Sequence, residues 1–170
     1  SVAVLPFLSL YEPDTKDFFL DGLAEEISMA LTRFNDIDVI NYYSARHYKS
    51  SDIDVRALAH TLHAQFILQG SVRKEAETIR ICVHLIDGMS GTDIWTQTFD
   101  RILTTENLFE VQSEIAGNIA SRVAGSFGII SRTMYPFQNN RIPKHPTGYH
   151  AIILYHRFQR ILSRENLKNA

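Results

Sequence analysis

The chain has 170 residues, 45% of them hydrophobic and 21% charged, with a net charge of −2. This fits about one globular domain and excludes a fully disordered, collagen-like or low-complexity chain. A single cysteine, Cys82, excludes an internal disulfide framework and an all-cysteine zinc site, and no apolar run reaches the ~20 residues of a membrane helix. Ser1–Phe7 lacks a basic n-region and a long apolar h-region, so it reads as a buried strand entered at once rather than a signal peptide. The chain is therefore expected to be a piece of a longer protein. Tyr11-Glu12-Pro13-Asp14 has turn chemistry. From Asp17 to Phe34, Phe19, Leu23, Ile27, Ala30, Leu31 and Phe34 recur at spacings of three and four, which predicts a helix with one buried face. Asn35-Asp36 ends it, and Asp38–Ile40 is expected as a second strand. After a broken segment, Asp54 is placed to cap a helix over Val55–His63, with Leu58 and Leu62 inward.

A period of two follows. Phe66, Leu68, Gly70 and Val72 share one face of a strand, and Ile79, Ile81, Val83 and Leu85 share one face of the next. Lys74–Thr78 joins this pair. Asp87-Gly88-Met89-Ser90-Gly91 leads to a third strand, Asp93–Phe99, carrying Trp95. Thr105 is expected to cap a helix with Glu106 in its first turn. Leu108, Val111, Ile115, Ile119 and Val123 form its stripe, and Gly125 and Gly128 mark its end. The predicted fold is α/β: a mixed sheet of about five strands in the order β-α-β-α-β-β-β-α, with helices mainly on one face. Residues 1–128 form this domain, 129–148 a Pro-rich linker, and 149–170 a C-terminal helical segment. In that segment Leu154, Phe158 and Leu162 lie on an apolar stripe that buries too little alone, so it is expected to self-associate, dock on the first domain or begin further helices.

Charge is unevenly spread: residues 1–126 carry a net −8 and residues 127–170 a net +6. A basic tail can serve nucleic acid or membrane, but one holding an amphipathic helix is better read as docking on the acidic body or on a protein partner. Arg157, Arg160, Arg164 and Lys168 are read as a solvated edge rather than phosphate contacts. No direct nucleic-acid contact and no membrane segment are expected.

Catalytic groupings are sparse. His60 and His63 stand at i,i+3 with His47 upstream, yet no Cys or Glu-x-x-His partner is near, so a metal site is not expected. Cys82 on a strand reads as a small hydrophobe rather than a nucleophile. Asp21, Glu25 and Glu26 could do acid–base work, but carboxylates beside an apolar stripe usually form a solvated face. Gly22, in the same helix, implies close packing, because glycine there otherwise costs about 1 kcal/mol relative to alanine. Gly88–Gly91 lies between strands and does not open a helix, so it is not a phosphate loop. No cofactor is expected.

Several stretches in order carry a resemblance: Ser1-Val-Ala-Val-Leu-Pro-Phe7, Phe19-Leu-Asp-Gly-Leu-Ala-Glu-Glu-Ile27, Asp54-Val-Arg56, Phe66-Ile-Leu-Gln-Gly-Ser-Val-Arg73, Arg80–Asp87, Gly91, Ile94-Trp95, Phe99-Asp-Arg101, Leu108–Gln112 and Glu114-Ile-Ala116. Over residues 1–126 this set resembles the TolB amino-terminal-like domain of bacterial multidomain regulators. The resemblance implies a module without an active site, between an output domain (a class III adenylyl cyclase or a winged-helix transcriptional regulator) and tetratricopeptide repeats. Any cyclase metal ligands or recognition helix would then lie upstream of Ser1. Tyr149–Tyr155 resembles the first helix of such an array. Gly22, Gly70, Asp87, Gly91, Trp95 and Asp100 match positions that the resemblance implies are structural, with Gly70 allowing close packing, Asp87 and Gly91 shaping the hairpin and Trp95 filling core. The expected role is non-catalytic: signal transduction or protein interaction in the cytoplasm. The alternative is a periplasmic ligand- or pH-sensing domain of a membrane-bound winged-helix regulator, with a small-molecule pocket between sheet and tail. An enzyme using Asp21 and Glu25 is the third class.

Overall fold

The computed structural model describes residues 1–10, 18–48, 54–125 and 128–134. The chain divides into two units, Ser1–Tyr135 and Pro136–Ala170, and the second lies outside the described residues. The expected tail helix, with Leu154, Phe158 and Leu162, falls there.

A five-stranded mixed sheet carries the first unit. β1 (Val2–Val4) and β2 (Leu8–Ser9) both lie parallel to β3 (Phe66–Glu75), so the single predicted opening strand is two pieces of one path. Pro6 interrupts it, having no N–H to donate. Val4 stands opposite Leu68 and Leu8 opposite Ser71, so the first path holds one more residue than its partner across the break. β3, β4 (Thr78–Asp87) and β5 (Asp93–Ile102) form an antiparallel meander. These strands run longer than their alternation suggested, because pairing continues to Glu75↔Thr78 and leaves only Ala76 and Glu77 in the turn.

Asp38–Ile40 does not become a full strand. It makes one bridge, Val2↔Val39, in which the Val2 N–H donates to Asp38 O (2.8 Å) and the Ile40 N–H donates to Val2 O (2.9 Å). The pairing stops there because Asn41 caps α2 (Tyr42–Ala45), its side chain accepting from the Tyr43 N–H. The segment still covers the outer edge of β1.

α1 (Phe18–Leu31) buries the predicted stripe from Phe19 to Leu31. α3 (Val55–Leu62) begins at Asp54, whose carboxylate accepts from the Arg56 N–H as expected, and ends at His63 in the left-handed region. α4 (Leu108–Ala124) buries Val111, Ile115, Ile119 and Val123. Its start differs from expectation, since Asn107 rather than Thr105 precedes the first turn. Asn107 instead ties the preceding loop: its carbonyl accepts from the Thr104 N–H (2.8 Å) and its amide donates to Ile102 O (3.0 Å). A short helix, α5 (Ile129–Met134), follows Gly128 where the sequence suggested linker.

Two apolar clusters result. The larger joins α1 and α4 to Val2, Val4, Phe66, Leu68, Val72, Ile81, Val83, Leu85 and Phe99 on one sheet face. The smaller puts Leu58 and Ala59 of α3 against Ala3, Ile67 and Ile86 on the other.

Candidate functional site

The second sheet face is the part left for function, because the first is covered by two long helices. Beyond the α3 cluster its residues are mostly polar: Gln69 and Ser71 on β3, Arg80, Cys82 and His84 on β4, and Thr96, Thr98 and Asp100 on β5, with the exposed Ile102 at the end of β5 as an apolar exception. Strand alternation puts them there, since their neighbours face the helices. A hollow of about 180 Å³ opens beside this face, lined by Leu5, Pro6, Leu8, Tyr48, Gln69, Gly70, Ser71 and His84. A broader groove of about 900 Å³ runs beside the start of β5, between Ile94 and Trp95 and the Arg122 and Arg132 segments of α4 and α5.

The polar groups of the open face are mostly engaged with one another. Arg80 holds Asp100 through two bonds, Nε to Oδ1 at 2.7 Å and Nη2 to Oδ2 at 2.9 Å. The guanidinium keeps the Asp100 carboxyl below its usual range. His84 Nδ1 lies 3.3 Å from Asp93 Oδ1, and Cys82 Sγ lies 3.7 Å from Thr98 Oγ1.

Gly22 faces Gln112, and a Cβ there would fall 2.6 Å from Nε2. That space lets the buried Gln112 donate to Phe19 O at 2.8 Å, which locks the start of α1 to α4. Gly70 admits the Phe7 ring and the Cys82 carbonyl, so a side chain there would collide with both. Asp87 Oδ1 accepts from the Ser90 N–H (2.8 Å), the Met89 N–H (3.0 Å) and Ser90 Oγ (3.0 Å), and these bonds lower its pKa, the Ser90 N–H foremost. Gly91 completes that turn with φ +71°. Trp95 departs from the core-filling role expected of it: half-buried, it packs on the edge of the main cluster and lines the broader groove. Among the described residues β5 is the last strand of the sheet, so no further strand there flanks the indole.

Two of the three carboxylates of α1, Glu25 and Glu26, are separately occupied, and the third, Asp21, lies near the Tyr42 hydroxyl. Glu26 accepts from Ser113 Oγ at 2.5 Å, and Glu25 accepts from the Tyr43 hydroxyl at 3.0 Å. Burial, then the nearby Asp21 and Glu25 carboxylates, push the Tyr42 hydroxyl up to about 12. His60 and His63 have ring centroids 6.4 Å apart, and among the described residues no three His, Cys, Asp or Glu side chains gather as metal ligands. No described helix is long and apolar enough to cross a membrane.

Sequence reasoning missed two residues that build this unit. Gly88 sits against Ala59, and its N–H donates to Gln65 O (2.8 Å), joining the hairpin to the end of α3. Arg101 on β5 grips Glu114 on α4 with Nη2–Oε1 at 2.6 Å and Nε–Oε2 at 3.1 Å. No local spacing signals either, because each contact spans separate elements.

No family model matches the chain. A curated relative, "Putative adenylate cyclase 3" of Rhizobium meliloti (strain 1021), is 36% identical over 121 residues, which is 71% of this chain and 20% of that protein. The chain thus spans about a fifth of its length. Among solved structures, a PelC dodecamer from Paraburkholderia phytofirmans aligns with TM-score 0.52 and 17% identity over 72% of this chain and 86% of that one. Lipoprotein GNA1162 from Neisseria meningitidis aligns with TM-score 0.51 and 14% identity over 70% of this chain and 95% of that one. TolB from Acinetobacter baumannii aligns at TM-score 0.46 with 10% identity over 74% of this chain and 28% of that one. At such identities the PelC and GNA1162 likenesses show a shared fold.

Proposed function

We propose that this chain is a non-catalytic regulatory and protein-interaction module of a bacterial signalling protein of the adenylyl cyclase kind, working in the cytoplasm. The observation that carries the reading is the 36% identity to a cyclase-named protein over 71% of this chain. The side chains add support. Glu25, Glu26, Asp87, Asp100 and Glu114 are committed to Tyr43, Ser113, Ser90, Arg80 and Arg101, which is how carboxylates behave in a scaffold. The PelC structure, described as a dodecamer, supports assembly as a use of this fold. In the finer reading an output domain precedes this module, helical repeats follow it, and Leu154, Phe158 and Leu162 mediate association.

Incubation of the chain with ATP and Mg²⁺ or Mn²⁺ tests the non-catalytic part. Cyclic AMP is expected to stay at the level of the protein-free blank, and turnover that tracks the purified chain would sink the reading.

A further inference from the structure

The two edges of the sheet are treated differently. β1 is covered on its outer side by Asp38–Ile40, whereas β5 ends the sheet with no strand beyond it among the described residues. Natural edges are usually blunted by lysines, prolines, bulges or shortness. β5 is ten residues long, its one irregularity sits at its start opposite Leu85 and Ile86, and from Trp95 to Ile102 it has no lysine and no proline.

The Leu103 N–H donates to Glu77 O at 2.7 Å. Along an antiparallel ladder, bonded and non-bonded pairs alternate. Trp95, Gln97, Phe99 and Arg101 therefore bond to β4, and Thr96, Thr98, Asp100 and Ile102 turn their N–H and C=O groups outward. Arg101 Nη1 donates to Asp100 O at 2.8 Å, and that carbonyl keeps a second lone pair.

We propose that this edge pairs antiparallel with the same edge of a second copy, about a twofold axis at Thr98. The inference rests on the assembly part of the function proposed above and names its partner and surface. In that register Thr96 stands opposite Asp100, Thr98 opposite Thr98, and Trp95 opposite Arg101, each hetero-pair occurring twice. No like charges meet, a hydroxyl faces a carboxylate, and an indole faces a guanidinium already held in place by Glu114. A register centred on Asp100 would set two carboxylates against each other and is disfavoured. The chosen one forms about six new backbone hydrogen bonds and turns two sheets into one.

The test is light scattering across a concentration series on the 170-residue chain. Four proteins are compared: wild type, Thr98→Pro, Thr98→Lys, and a tail variant carrying Leu154→Asp and Phe158→Asp. Thr98→Pro removes an outward N–H and spares the β4 ladder, and Thr98→Lys sets two ammonium groups face to face. Each should keep the wild-type circular dichroism and weaken dimerisation at least about tenfold. If the proline fails to fold, the lysine variant decides. A dimer sensitive to Thr98 and indifferent to the tail substitutions supports the inference, as does slowed amide exchange at Thr96, Thr98 and Asp100 on concentration. A dimer lost in the tail variant and untouched by either Thr98 change overturns the edge pairing and leaves the assembly reading standing. A wild type that stays monomeric at the highest concentration also overturns the pairing, while the absence of cyclic AMP synthesis is judged separately.

Discussion

The two faces of one sheet teach different things about this chain. Leu68, Val83 and Leu85 face α1 and α4 and are buried, while their strand neighbours Gln69, Cys82 and His84 face outward and are only half-buried. Stability therefore concentrates on the helix face, and the other face is free to vary its chemistry. The sharpest way to break this comparison is Leu85→Ala against Cys82→Ala. The first removes a fully buried side chain and should cost about 3 kcal/mol in urea unfolding. The second, beside Thr98 on the open face, should cost less than about 1 kcal/mol. Equal losses would mean that the polar face carries as much of the fold as the apolar one.

A narrower effect sharpens the same contrast within the helix layer. Gly22→Ala should cost about 1–3 kcal/mol, although alanine is the better helix former, because its methyl displaces the Gln112 amide and strips that buried donor of its acceptor, Phe19 O. Combining it with Gln112→Ala should cost less than the sum of the two single changes, since one contact is removed twice. Strict additivity in a double-mutant cycle would show that Gly22 and Gln112 do not act together.

Next in size is the pair that ties the edge strand to the helix layer. The Arg101 guanidinium holds the Glu114 carboxyl below its usual range. Its ionised form therefore stabilises the fold above the ordinary glutamate pKa of about 4.3, and that contribution fades as pH falls through the lower folded value. Both side chains are partly exposed, at 33% and 46%, so solvent screening holds the pair to roughly 0.5–1 kcal/mol. The melting-temperature gap between wild type and Glu114→Gln should be widest near neutral pH and should close in acid. A gap unchanged down to strongly acidic pH would assign it to packing rather than charge.

Much of this architecture was legible from residue spacing. The period of two gave the meander, the stripes of α1 and α4 gave the covering layer, and Asp54 gave the start of α3. What spacing could not carry is pairing between distant segments. Val39 is β-like locally, yet its partner on one side is a single residue of β1, and Asn41 turns the chain into α2 before a ladder can grow. Thr105 has a capping side chain, but Asn107 and Thr104 bind each other first. Gly22 signalled close packing without naming Gln112, and Trp95 could not be told from a core residue until β5 proved to be the edge.

The smallest expected effect, that of Ala76→Gly, lies in the turn that fixes the meander's register. Ala76 sits at φ +52°, where an L side chain crowds the backbone, because the two-residue connection between Glu75 and Thr78 demands a positive φ there to follow the right-handed twist of the strands. Glycine relieves that crowding but adds freedom to the unfolded chain, so the terms oppose. Relief should win narrowly, making Ala76→Gly more stable by about 0.5 kcal/mol, while Ala76→Val should lose more than 1 kcal/mol (roughly) as a branched side chain meets the same crowding. Because this turn aligns Arg80 against Asp100 only through β4, neither change should alter the melting contribution of that surface pair. Thermal melts of Ala76→Gly in the wild-type and Asp100→Asn backgrounds check both points. A glycine that destabilises would show that the left-handed turn is held without strain, and that the register of the open face is set by the strands themselves.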